Sequence, residues 1–382
     1  MSAKALDIDL VYVFFDAANM DRWNDHIRPI NLTELDKQAH KAAIAWYLGK
    51  CEELRGNEID WRAIVEGGMF SFIQRTILTD LKPPLFHRIK KERAKEVNDF
   101  VVSEFGKNVP NVDPALSGRF EAYLRKDDRK SLESQVLRAA HYLATKWEFD
   151  FIYDVNRRIY GIEETRENIE SQIGQHIKLA GVRKILDGDW ENFAGLIAQL
   201  RFQKRWARTP RVPETTVLGH SLLVANMVYL HDLDRGVDDA TMYNDYYAAI
   251  FHDLPEVFTR DVISPVKANV GGLMEILEDY EADMVGSVVV DLLEEEWADG
   301  FRFLILDPFS EKDDPVHGKL HGREVKACDL MAAFLEANIS LRHGITSEAL
   351  RTGAEELRVK LLGLDTTIDT AELIRRFDAK DI

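Results

Sequence analysis

Four short stretches of this chain recur in the same order roughly 180 to 190 residues further on. Arg22-Trp23 reappears as Arg205-Trp206. His40, in an Ala-rich apolar run, is echoed by His220. Thr79-Asp80 with Pro84 is echoed by Arg260-Asp261 with Pro265, and Arg138-Ala139-Ala140-His141 by Lys326-Ala327-Cys328-Asp329. A near-constant offset in a fixed order marks a tandem repeat of one structural unit. It predicts two domains, residues 1–185 and 186–382, joined around Asp187-Gly188-Asp189. The chain's 382 residues are enough for two domains of ordinary size.

Periodicity sets the fold class. Ala43–Tyr47, Leu132–Trp147, Leu222–Leu230, Gly272–Leu293 and Glu324–Leu341 carry apolar residues at i, i+3, i+4 spacing, with Ala and Leu frequent. Extended alternation of β-branched residues is scarce, and Val288–Val290 is a short run inside a longer helical pattern. Most of the eleven prolines fall at joints between these segments. The expectation is an all-α protein of two helical bundles in tandem.

Charge and cysteine narrow the function. Acidic residues outnumber basic ones 66 to 49, a formal charge of −17, which disfavours a nucleic-acid backbone as partner. A small phosphorylated ligand is still allowed, because local arginines can hold one. Two cysteines, Cys51 and Cys328, make neither a disulfide framework nor a metal motif. Val11–Phe15, the apolar run near the start, is too short for a signal core or a membrane span. A cytoplasmic protein without a membrane partner is the expectation.

The chemistry concentrates in Ile250-Phe251-His252-Asp253-Leu254-Pro255-Glu256. An adjacent His-Asp pair at a helix end offers an imidazole nitrogen and a carboxylate oxygen to one point, a fit for a divalent cation. His220, on an apolar helix beside Gly219 and Ser221, and Asp329, on another, would complete two nitrogens and two carboxylates. A bare carboxylate on an apolar face is costly unless paired or metal-bound. Each piece also has a plain alternative. An isolated core histidine is usually just hydrogen-bonded, and Asp329 could pair with Lys326 or Arg323. A second His-Asp pair, His231-Asp232, reads as a helix end and exit turn, since Leu233, Asp234, Arg235 and Gly236 follow it.

The ordered pattern His220, His252-Asp253, Asp329 resembles the HD superfamily of metal-dependent phosphohydrolases. From Arg205 to about Ala337 the chain is similar to the bacterial 5′-deoxynucleotidases within it, on Arg205-Trp206, His252-Asp253-Leu254-Pro255-Glu256, Thr259–Lys267 and Val325–Asp329. The resemblance implies one divalent transition metal (Mn, Co, Fe, Ni or Zn) on His220, His252, Asp253 and Asp329. A metal-bound water would attack the 5′-phosphate of a (deoxy)nucleoside monophosphate. Glu256 would serve as general base or proton relay, and Arg205 would hold the phosphate and its developing charge. Trp206 would crowd the sugar to favour deoxyribose, Asp261 would bind a sugar hydroxyl or orient the water, and Lys267 is a further phosphate candidate. Val217-Leu218-Gly219, where the family carries acidic and polar residues, is a departure that bears on base choice. Two other functions stay open: a pyrophosphohydrolase or phosphodiesterase on the same metal, and a non-catalytic nucleotide sensor.

In the first half, alignment on Asp80 puts Ser71, Phe72 and Arg75 where His252, Asp253 and Glu256 stand, and His141 where Asp329 stands. No metal site is expected there. That half would act as the partner in an internal pseudo-dimer or bind a regulatory nucleotide through Arg22 and Trp23, with packing the favoured role; association of whole chains into a homo-oligomer is a further expectation.

Overall fold

A computed structural model describes residues 3–79, 82–126, 128–260 and 271–380. Among these the chain is helical apart from one two-stranded hairpin, and no helix is long and apolar enough to cross a membrane. The chain divides into two compact units: Met1–Ala180 with Leu230–Gly236, and Gly181–Tyr229 with Val237–Ile382.

In the first unit the helices Glu34–Leu54 and Leu132–Asn156 form the most extensive pair. Ala39 and Ala43 on one, and Ala139, Ala140 and Ala144 on the other, are all at most 1% exposed. Such small side chains let two helix axes approach closely. Trp61–Leu78 joins them; Trp46, Phe14, Phe72 and Phe120 are fully buried, with Phe14 stacked on Phe72 and Phe120 against Phe70 and Phe105. Each buried aromatic or aliphatic chain contributes about 1.5–3 kcal/mol relative to exposure. The helix starts are set by side chains that accept the orphan amides: Thr33 from Asp36, Asp60 from Ala63, Ser131 from Ser134.

The second unit is built on the helix Val217–Arg235 as far as Tyr229, on Asp239–Phe251 and on Gly322–Arg342, with Glu295–Ile305, Glu348–Leu362 and Thr370–Asp378 around them. The predicted long helix over Gly272–Leu293 is interrupted: a helix over Leu273–Met284 passes into a π-helical turn at Val285–Val289, the segment where β-branched residues cluster. His231 and Asp232 lie in the last turns of the Val217–Arg235 helix, which ends at Gly236 with φ +66°.

The hairpin pairs Glu311–Asp314 with Gly318–His321, and its charged sequence lacks the alternation that announces a strand. Its turn is made by the Asp314 carboxylate, which accepts the amides of Val316 and His317, and by Gly318 at φ +83°. Asn244 donates to the carbonyls of His317 and Lys319, and Asp245 accepts from the His321 amide. These bonds pin the hairpin to the helix that ends at His252. Gly322 then allows the return: a Cβ there would lie 2.3 Å from the Ser310 carbonyl oxygen.

The two units share local geometry ahead of their first long helix. Asp21 bridges Thr33 as Lys204 bridges Thr216. Trp23 and Trp206 both take the left-handed conformation, at φ 56° and 57°, as do Thr79 and Arg260 at 59° and 64°. This backbone register also adjusts one sequence pairing. Lys37, the fourth residue after Thr33, occupies the place that His220 holds after Thr216, and His40 lies one turn beyond.

Candidate functional site

Three helix ends bring the predicted residues of the second unit together. His220 sits in the first turn of Val217–Arg235, His252 caps Asp239–Phe251, and Asp329 is two turns into Gly322–Arg342. Ligand atoms of His220, His252 and Asp253 all lie within 4.8 Å of one another. The histidine rings stand 5.7 Å apart, and Phe309, at the entry to the hairpin, packs 5.7 Å from His252.

Both imidazoles are oriented through Nδ1. That of His252 is 2.8 Å from the Ala249 carbonyl, an acceptor, so Nδ1 carries the proton and Nε2 presents its lone pair inward. That of His220 is 3.2 Å from the Glu336 carboxylate, with its Nε2 3.0 Å from Asp329 Oδ1. His252 Nε2 and Asp253 Oδ2 are 3.2 Å apart, outside hydrogen-bond geometry, and both are buried without a hydrogen-bond partner among the described residues. Two buried acceptors aimed at one point are costly unless a cation joins them.

Charge is organised around this point. Burial and Arg205 oppose protonation of His220, but Glu336 and Asp329 outweigh them and raise its pKa. Burial opposes ionisation of Asp253, yet the imidazole of His252 in its doubly protonated form, then Arg205 and His220, would hold it below the ordinary carboxylate range. Asp329 is lowered likewise, against burial, by Lys326 and the two histidines. Lys326 Nζ lies 2.8 Å from Asp329 Oδ2, while Arg323 pairs instead with Asp365. Asp329 therefore has one oxygen on the site and one on a lysine.

Arg205 Nη1 is 3.6 Å from Asp253 Oδ2, and its Nε is 3.8 Å from Glu336 Oε2. Trp206 donates from Nε1 to Glu336 at 3.1 Å, and its ring packs with Ala337, Leu350 and Ala354. A Cβ on Gly353 would come within 2.8 Å of that ring. Glu256 opens the short helix Glu256–Thr259; its amide bonds Asp253 O, and its carbonyl accepts from Gln203 at 2.8 Å. Asp261 and Lys267 lie outside the described residues.

The residue that the motif did not supply is Glu336. Fully buried, it accepts from Trp206, Thr215 and His220, and Arg211 donates to its carbonyl. Burial opposes its charge, but Arg211, His220 and Arg205 lower its pKa. It stands two turns after Asp329 on the same helix face, a spacing that flags a carboxylate on an apolar helix.

Residues 192–367 match the family model described as 5′-deoxynucleotidase YfbR-like. The curated 5′-deoxynucleotidase PM0747 of Pasteurella multocida is 25% identical over 156 residues, 40% of this chain and 76% of the relative. A 5′-deoxynucleotidase of Shewanella oneidensis is 26% identical over 153 residues, 39% of this chain and 74% of the relative. With the ordered histidines and carboxylates in place, residues 192–367 are similar to the YfbR-like 5′-deoxynucleotidases, a family whose likeness implies the HD superfamily.

Proposed function

We propose that the C-terminal half is a divalent-metal phosphomonoesterase that removes the 5′-phosphate from nucleoside monophosphates, deoxynucleotides foremost. The observation that carries it is the buried pair His252 Nε2 and Asp253 Oδ2, converging with His220 and left without hydrogen bonds. The family match and the names of the two curated relatives support the substrate class.

His220, His252 and Asp253 would hold the cation, with Asp329 closing the set beside His220. Two imidazoles with carboxylates suit manganese, cobalt, iron, nickel or zinc. Bound there, such a cation would acidify a water and polarise a phosphoryl oxygen. The protein does the rest. Glu336 fixes the His220 tautomer, the carboxylate–histidine support that tunes a ligand's basicity. Arg205, poised near Asp253, offers its fork to the phosphate and to the charge that develops on it. Glu256, one turn past His252, is placed to take or return a proton at the attacked ester. Asp261 and Lys267 keep the roles of sugar and phosphate partners.

The N-terminal half, in this proposal, is a worn copy of the same bundle that has lost the ligands. Lys37 stands for His220, Ser71 for His252 and His141 for Asp329.

The test is phosphate release from a panel of ribo- and deoxyribonucleoside 5′-monophosphates, with chelator and with each metal restored, and Asp253→Ala as control. Metal-dependent release that the variant lacks is expected. Release that survives Asp253→Ala, or a metal-loaded chain inert on every monophosphate, would overturn the proposal. Cleavage of diesters or release of pyrophosphate by that chain would favour the second reaction class.

A further inference from the structure

The first unit holds a buried cluster of cations in the place where the second unit gathers its metal-type ligands. Lys37 is 0% exposed and Lys41 5%, both on the Glu34–Leu54 helix. Lys37 Nζ lies 2.5 Å from His141 Nδ1, and Lys41 Nζ donates to Ser71 Oγ at 2.6 Å. Arg22 and Arg75 flank them. Arg22 bonds Glu34 at 2.6 Å and Glu148 at 2.8 Å, and Arg75 Nε is 3.8 Å from Glu34.

The charges do not balance. Among the described residues, Lys37, Lys41, Arg22 and Arg75 stand near Glu34 and Glu148, and Arg22 makes close contacts with both carboxylates. Glu34 is further occupied by Gln38, and Glu148 by Trp23. Among the described residues neither lysine ion-pairs with a carboxylate; each hydrogen-bonds a neutral group. A buried ammonium without a counter-ion costs several kcal/mol as a charge. Burial lowers Lys37 well below its ordinary pKa, with Arg22 and Lys41 outweighed only in part by Glu34, and it brings Lys41 down to about 8. The cluster opens outward through Ser71, Arg75 and His141, which are partly exposed.

We infer that this cluster is an anion site that takes the phosphoryl group of a small phosphate compound and binds it without hydrolysing it. Lys37, Lys41 and Arg75 supply cationic donors, a set that matches a phosphate's oxygens, while the Ser71 hydroxyl accepts from Lys41 and donates to the Gly68 carbonyl. None of the groups there is the metal-binding pair that hydrolysis would need. Free phosphate and a nucleoside monophosphate present the same group, and affinity tells them apart.

The experiment uses the full chain, treated with chelator and carrying Arg205→Ala and Asp253→Ala, so that the second unit does not contribute. Inorganic phosphate and dAMP are titrated by calorimetry, and melting temperature is followed alongside. Saturable binding at one site per chain, with a rise in melting temperature, is expected. Lys41→Met and Lys37→Met, each added to that background, should weaken it about 30-fold or more, and Lys41→Arg should retain most of it. Tighter binding of dAMP than of phosphate assigns a nucleotide; equal binding assigns free phosphate. No saturable binding of either probe, or an affinity unchanged in both methionine variants, would overturn the inference. Circular dichroism identifies a variant that fails to fold, and Lys41→Gln then takes its place in the series.

Discussion

The two units build the same anchor and differ in what stands beside it. In each, a tryptophan in the left-handed conformation donates its indole N–H to a buried glutamate, Trp23 to Glu148 at 2.9 Å and Trp206 to Glu336 at 3.1 Å. An arginine precedes each tryptophan. Beyond the anchor the chemistry diverges. Glu336 leans on His220, which faces His252 and Asp253; Glu148 leans on Arg22, which faces two lysines. One glutamate orients an imidazole whose other nitrogen faces Asp329. The other neutralises part of a fixed positive cluster. Similar local geometry thus surrounds histidines and carboxylates in one unit and fixed cations in the other.

The largest effect tests whether the difference is absolute. His252→Ala with Asp253→Ala should abolish metal retention by the whole chain, read by atomic emission, and lower phosphate release by about 1000-fold. Metal that persists in this double variant would have to sit elsewhere, and the contrast would collapse. Next come the glutamates. Glu336→Gln should lower turnover about 10- to 100-fold, through loss of support to His220. It should also cost about 3 kcal/mol in stability, as the loss of one side of a buried ionic network does. Glu148→Gln should cost similar stability and leave turnover within about twofold, since it supports Arg22 and Trp23 rather than His220. Denaturant melts and steady-state rates on both variants separate the two outcomes.

Much of this was legible in the sequence, and the gaps have physical causes. Periodicity gave the helices because their buried faces are apolar, and the His252-Asp253 pair was legible because two ligand types at a helix end are unusual. Glu336 escaped because a lone carboxylate on an amphipathic helix looks like a surface residue; only its spacing from Asp329 marks it as facing inward. The hairpin escaped because turn chemistry at Asp314 and Gly318, not side-chain alternation, makes it. The pairing of His40 with His220 followed residue identity, but capping sets the register of a helix, and Thr33 and Thr216 put Lys37 opposite His220.

Lys41 sharpens the comparison through pH. Its pKa is lowered to about 8 in the folded chain from 10.5, by burial against the pull of Glu34. The unfolded chain therefore binds more protons between these values, and ligand-free stability should rise with pH across that window, then level off above it. Below pH 8 the lysine is charged in both states and its penalty is constant. The rise is on the order of 3 kcal/mol, and Lys41→Met should remove it. A wild-type and variant pair with parallel stability profiles from pH 7 to about 10 would show that Lys41 is not held against its charge.

The smallest effect addresses the tryptophans themselves. Replacing either by phenylalanine keeps the ring but deletes the N–H, leaving a buried carboxylate short of one donor, at a cost of about 1–2 kcal/mol. Equal losses for Trp23→Phe and Trp206→Phe would mean that the anchor does the same structural work in both units. The sugar gives the second readout. The Trp206 ring packs with Leu350 and Ala354 and lies close over Gly353, so part of its surface is committed to the core. If a free edge also crowds the 2′ position, the indole-to-phenyl change should narrow the ratio of deoxyribo- to ribonucleotide turnover by about tenfold or less, the usual worth of a small steric contact. An unchanged ratio, with stability reduced as in Trp23→Phe, would make Trp206 a scaffold residue alone and move sugar selection elsewhere, with Asp261 the next residue to test.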